Sequence, residues 1–144
     1  MTDAERIALI DALNAEYAAV YAYGVIDAYA ATERDRLVTQ YTAAHRARRD
    51  STVEALTAAG TTAPPPDAAY TAPFPVDDPI PAANLAVTVE TDCAVAWRCV
   101  VERADTELVR RMGIEALTES ALRQATWQTI LGASPPTVAF PGMV

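Results

Sequence analysis

Displaced on itself by 74 residues, the chain lays Ala8 to Leu56 over Ala82 to Ile130 without a gap, and eleven of the 49 paired positions are identical. Alanine richness by itself accounts for about four such matches in a window of this size. The identities include Glu16 with Glu90, Glu33 with Glu107, Arg36 with Arg110 and Arg49 with Arg123, while Tyr23 falls opposite Trp97 and His45 opposite Glu119. A duplicated unit restricts the fold severely, because each copy must bury its apolar face against something that presents nearly the same face.

Within each copy the local signals are helical. Half the residues are apolar, with alanine dominant, five glycines and few β-branched runs, a composition that favours helix over strand. Thr2 with Glu5 reads as a capping box opening a first helix over about 3–31, and Thr32 with Asp35 as the cap of a second over about 33–59, closed by Gly60. Asp78 with Pro79 opens a third over about 79–104, and a fourth runs over about 106–131, closed by Gly132. Each is ~26 residues, roughly 39 Å long at 1.5 Å per residue.

The tight junctions within each copy make its two helices antiparallel neighbours. Between the copies, residues 61–78 carry Pro64-Pro65-Pro66 and Pro73-Phe74-Pro75, too proline-rich for helix and too long for a turn. Two antiparallel hairpins joined by one long crossover is the connectivity of a ferritin-like four-helix bundle, here one domain over 1–144. The tail, 133–144, is apolar and proline-rich and is predicted to lie along the bundle, with Phe74 and Phe140 plugging its surface.

The seams of the four helices carry charge where only apolar residues would be needed. Leu9, Leu13, Glu16, Val20 and Tyr23 follow spacings of four and three, and Ala83, Val87, Glu90, Ala94, Trp97 and Val101 repeat the pattern in the third helix. The second helix offers Val38, Thr42, His45, Arg49 and Leu56, and the fourth Met112, Ala116, Glu119, Arg123 and Ile130. Glu16, His45, Arg49, Glu90, Glu119 and Arg123 are therefore predicted to converge on the bundle centre.

A ferritin-type di-metal site takes one Glu from each of two helices and a Glu-x-x-His pair from each of the others. Glu16 and Glu90 stand at the lone-Glu positions, but the pairs read Thr42-Ala-Ala-His45 and Ala116-Leu-Thr-Glu119. The bridging carboxylates are missing, and Arg49 and Arg123 one turn further on would repel a cation. Three carboxylates against two arginines and a protonated His45 neutralise one another, so the favoured reading is a structural salt-bridge network with no cofactor. Iron or manganese held by Glu16, His45, Glu90 and Glu119 is the alternative.

Glu16-Tyr-Ala-Ala-Val-Tyr-Ala-Tyr-Gly-Val25 and His45-Arg-Ala-Arg-Arg-Asp50, followed by Tyr70-Thr-Ala-Pro-Phe-Pro-Val76, Glu115-Ala-Leu-Thr-Glu119 and Phe140-Pro-Gly142, resemble an actinobacterial ferritin-like family catalogued as a domain of unknown function. The resemblance spans nearly the whole chain and implies the same bundle, with no known substrate or reaction.

Other features narrow the function classes. A net charge of −8 opposes nucleic-acid and anionic-membrane binding, and all eleven basic residues are arginine, as a high-GC genome would favour. The start lacks a signal-peptide pattern and no run is apolar enough for a membrane span, so a cytoplasmic location is expected. Cys93 and Cys99, six apart on one helix, cannot pair and read as small buried residues. Tyr17, Tyr21, Tyr23, Tyr29 and Tyr41 read as core or interface aromatics whose hydroxyls reach a partner, Trp97 and Trp127 as packing residues, and Gly24 as a point of close helix contact. Three function classes fit: a non-catalytic module forming a homo-oligomer, most simply a dimer; an oxidoreductase with a reduced, mononuclear site; and a small-ligand carrier holding an anion through Arg49 and Arg123.

Overall fold

The computed structural model describes all residues, Met1–Val144, as four helices with no strand. Helix α1 spans Asp3–Tyr29, α2 Asp35–Ala58, α3 Pro79–Arg103 and α4 Glu107–Ile130, with a 3-10 turn at Thr32–Arg34 between the first two. Helix α1 packs on α2 and α3, and α3 on α4, whereas α2 and α4 face one another across a cleft. Directions follow from the ends that meet. The start of α1 lies at the α3–α4 junction, where Glu5 receives hydrogen bonds from Asp105 and Thr106, so α1 and α3 run antiparallel.

The helix boundaries show which signals act physically. Thr2 accepts the Glu5 N–H at 3.2 Å, and Thr106 accepts that of Val109 at 3.3 Å, so both hydroxyls cap their helices. Gly60 and Gly132 take φ of +73° and +79°, left-handed positions that let the chain leave α2 and α4. Three expected caps differ. Glu5 does not turn back to complete a capping box but points inward, accepting from both the amide and the hydroxyl of Thr106. Thr32 opens the 3-10 turn without capping α2, and the Asp78 side chain makes no cap bond, leaving Pro79 to start α3.

The core gathers Leu9, Leu13, Tyr23, Ile26, Trp97 and Trp127, with alanines filling the close helix contacts. The helix that approaches its neighbour most closely through a glycine is α4, not α1. A Cβ on Gly113 would stand 2.9 Å from Val101 Cγ2, whereas one on Gly24 would meet nothing within 4 Å. Residues 61–78 contain no helix. Tyr17 donates its hydroxyl to the Pro64 carbonyl at 3.0 Å, Tyr70 packs on Tyr21 with ring centroids 5.5 Å apart, and Phe74 is partly buried against the core. Phe140, by contrast, is 67% exposed; the tail is anchored instead at Gly142, whose backbone lies against Ala94 and Arg98 of α3.

Candidate functional site

At mid-height, where α1 packs on α3, each helix brings one fully buried glutamate, Glu16 and Glu90. Between them stands His45 of α2, also without exposure, its Nδ1 2.6 Å from Glu16 Oε2 and its Nε2 2.8 Å from Glu90 Oε1. An imidazole flanked by a carboxylate on each nitrogen is held best when both nitrogens carry a proton. Burial pulls the His45 pKa down, but the hydrogen bonds and charges of Glu16 and Glu90 outweigh it and raise the value to about 9. His45 is accordingly an imidazolium at neutral pH.

Each carboxylate also accepts from an aromatic that lies seven residues, two helical turns, beyond the opposite glutamate. Tyr23, seven after Glu16, donates to Glu90 Oε1 at 2.7 Å, and Trp97, seven after Glu90, donates its indole N–H to Glu16 Oε1 at 2.7 Å. Helices α1 and α3 thus each supply an aromatic donor for the other's carboxylate. Trp127 extends the chain by donating to the Tyr23 hydroxyl at 3.0 Å. Burial, and then the charge of Glu90, pushes the Tyr23 pKa well up, so the phenol keeps its proton. These aromatics are more than packing residues. The two-turn spacing from each glutamate was the signal for their role.

The second positive charge is Arg123 of α4, 7% exposed, with Nε 3.0 and 3.1 Å from the two oxygens of Glu90 and Nη2 3.4 Å from Ser120 Oγ. Burial alone would lower its pKa; Glu90 raises it instead, and the guanidinium stays charged. Two carboxylates, one imidazolium and one guanidinium make the buried cluster neutral.

Four of the six expected residues therefore come together and two do not. Glu119, 74 residues after His45 in the sequence, stays at the rim with its side chain 47% exposed, pairing with Arg48 at 2.9 Å and lying 3.9 Å from Arg123. His45 already fills the centre, where a third carboxylate would have no counter-charge. Arg49 lies outside the network, bound to its neighbour Asp50 at 2.8 Å. The buried residues of α2 are Val38, His45, Thr52 and Leu56, a stripe narrower than the expected one, because α2 packs closely on α1 and faces a cleft on its other flank. The arginine that α2 turns toward α4 is Arg48, one position earlier, which also lies 5.9 Å from the Trp97 ring centroid.

Cys93 approaches the same cluster. Its thiol sits with one ligand atom each from Glu16 and His45 inside a 4.8 Å group that has the chemical makeup of a cation site. Burial and the nearby Glu16 push the thiol pKa well up, and the thiol donates to the Ala15 carbonyl at 3.7 Å. A cation entering there has to displace the proton on His45 Nδ1 and break its bond to Glu16. Every buried side-chain nitrogen and oxygen of the cluster already has a hydrogen-bond partner; the buried atom that lacks one is Glu5 Oε2, at the far end of α1.

An all-helical chain organised around a buried Glu/His/Arg network is the class that this geometry defines. The chain belongs to the family described as "Domain of unknown function (DUF4439)", whose model matches residues 8–144. It is similar to the crystal structure of a conserved hypothetical protein, rv2844, from Mycobacterium tuberculosis, with a TM-score of 0.88 and 41% identity, covering 90% of this chain and 98% of that one. No curated protein matches. No helix is long and apolar enough to cross a membrane.

Proposed function

We propose that this chain is a non-catalytic, ferritin-like bundle in which the Glu16–His45–Glu90–Arg123 network stands where related folds would hold two metal ions. The observation that carries the reading is the engagement of both glutamates: each of their four oxygens accepts at least one hydrogen bond, from Trp97, His45, Tyr23 or Arg123. A di-metal site needs bridging carboxylates where this chain has Thr42 and Ala116, and the donor set here does not fit one, since Arg123 and the His45 imidazolium already supply the positive charge. The internal repeat, the antiparallel pairing of α1 with α3 and the connector contacts through Pro64 and Tyr70 support the ferritin-like assignment.

A network of this kind contributes register and a unique packing of four helices rather than net stability. The protein's role then lies at its surface, as an interaction or self-association module of the cytoplasm. Leu108, Ile114 and Leu122, exposed on one side of α4, favour a homodimer through that helix.

The test is elemental analysis and a melting curve after incubation with ferrous iron, manganese or zinc. The expected outcome is less than stoichiometric metal and an unchanged melting temperature. One or two equivalents bound per chain, with a raised melting temperature, would replace this reading with that of a metal-dependent oxidoreductase.

A further inference from the structure

The cleft between α2 and α4 is distinct in chemistry from the closed network beneath it. It encloses about 540 Å³, within the range of small-molecule sites, and is walled by Tyr41, Ala44, Arg48, Ser51, Glu119 and Arg123. We propose that this cleft binds a small organic monocarboxylate, which Arg48 and Arg123 hold in the position that the Glu119 carboxylate takes in this structure.

Both guanidinium groups have donors to spare on the side facing the cleft. Arg123 commits Nε to Glu90 and Nη2 to Ser120, while Nη1 makes no hydrogen bond, its carboxylate neighbour Glu119 Oε2 lying 3.9 Å away. Arg48 makes a single bond, Nη2 to the same Glu119 oxygen at 2.9 Å, although a guanidinium can grip a carboxylate through two parallel N–H groups. Glu119 is thus a tethered, half-exposed carboxylate that reaches two arginines through one oxygen. A free carboxylate is not bound by the α4 backbone and can accept from both.

Charge gives the ligand class. Below the cleft Glu16 and His45 cancel. With Glu119 rotated to solvent, Arg48 and Arg123 face Glu90 alone, leaving one positive charge for one carboxylate. The Tyr41 ring and the Ala44 methyl form apolar walls, so the ligand carries a compact hydrocarbon or aromatic body. Arg123 is fixed by Glu90 and by packing near Tyr41, 5.8 Å from the ring centroid, so the binding group is already in place. The arginine pair differs from the one the sequence pattern suggests, because Arg48 and not Arg49 lines the cleft.

Benzoate is the probe, followed by calorimetry and by the fluorescence of Trp97, against which Arg48 packs. Glu119→Gln should bind benzoate about tenfold tighter than the unmodified protein, and adding Arg48→Gln should remove about the same factor. Ala44→Leu, which fills the cleft and keeps both arginines, should abolish binding altogether, whereas Arg49→Gln should leave it unchanged. Neutral benzamide should not compete. Benzoate binding that is undetectable in Glu119→Gln while that variant keeps its melting temperature would overturn the proposal. So would equal losses from Arg48→Gln and Arg49→Gln, or competition by benzamide.

Discussion

Glu90 is the residue on which the buried network depends most. It accepts from Tyr23, His45 and Arg123, drawn from three different helices, with none of its surface exposed. Replacing it by glutamine leaves two buried cations facing the single charge of Glu16, and removing one partner of a buried ion pair costs about 3–5 kcal/mol. Denaturant unfolding of Glu90→Gln should show a loss of about 3 kcal/mol. Arg49→Ala, which removes a partly exposed arginine paired with Asp50, should stay within about 0.5 kcal/mol of the parent. Comparable losses in the two variants would mean that the charge pattern matters through long-range field rather than through the contacts described.

At the level of elements, the parts legible in the sequence were those with a strictly local cause. Gly60 and Gly132 end helices because the left-handed backbone suits glycine, and Pro79 starts α3 because its fixed φ suits a first turn. Glu5 was not legible: its carboxylate serves the α3–α4 junction a hundred residues away, a contact that no local rule contains. Gly24 and Gly113 are equivalent in a propensity scale, and the choice of which one allows a neighbour to approach is made by packing. The tail illustrates the same division. Gly142 combines φ of +76° with backbone contact to α3, so a methyl group there would be both strained and in collision with the Ala94 carbonyl. Gly142→Ala should release the tail, seen as faster protease cleavage within 133–144 while the helical circular dichroism is kept. An unchanged cleavage rate would show that other tail contacts suffice.

For the molecule as a whole, the site's asymmetry lies where positions 74 residues apart in the sequence are used differently rather than alike. Glu16 and Glu90, and the aromatic two turns beyond each, are used alike in α1 and α3. Helices α2 and α4 divide the labour: α2 contributes His45 and leaves Arg49 outside, and α4 contributes Arg123 and leaves Glu119 at the rim. Periodicity placed all six side chains on seams, but it could not tell which copy would fill the centre. That is decided by the room for a single group between Glu16 and Glu90 and by the need for their charges to sum to zero.

A neutral cluster built this way makes part of the stability vary with one proton. His45 titrates near 9 in the folded chain against an ordinary value of 6.5, so its stabilisation is complete below about pH 6.5 and is lost as the pH rises through about 9. The linked free energy is on the order of 3 kcal/mol. His45 is the chain's single histidine, so its ring can be followed by nitrogen NMR without ambiguity. The decisive measurement is that titration, from pH 5 to 10. Both ring nitrogens should report the imidazolium form at pH 7.5, turning over near 9 and indifferent to added ferrous iron, manganese or zinc. A neutral ring at pH 7.5, or one whose signal moves when metal is added, would contradict the account of a self-neutralising core.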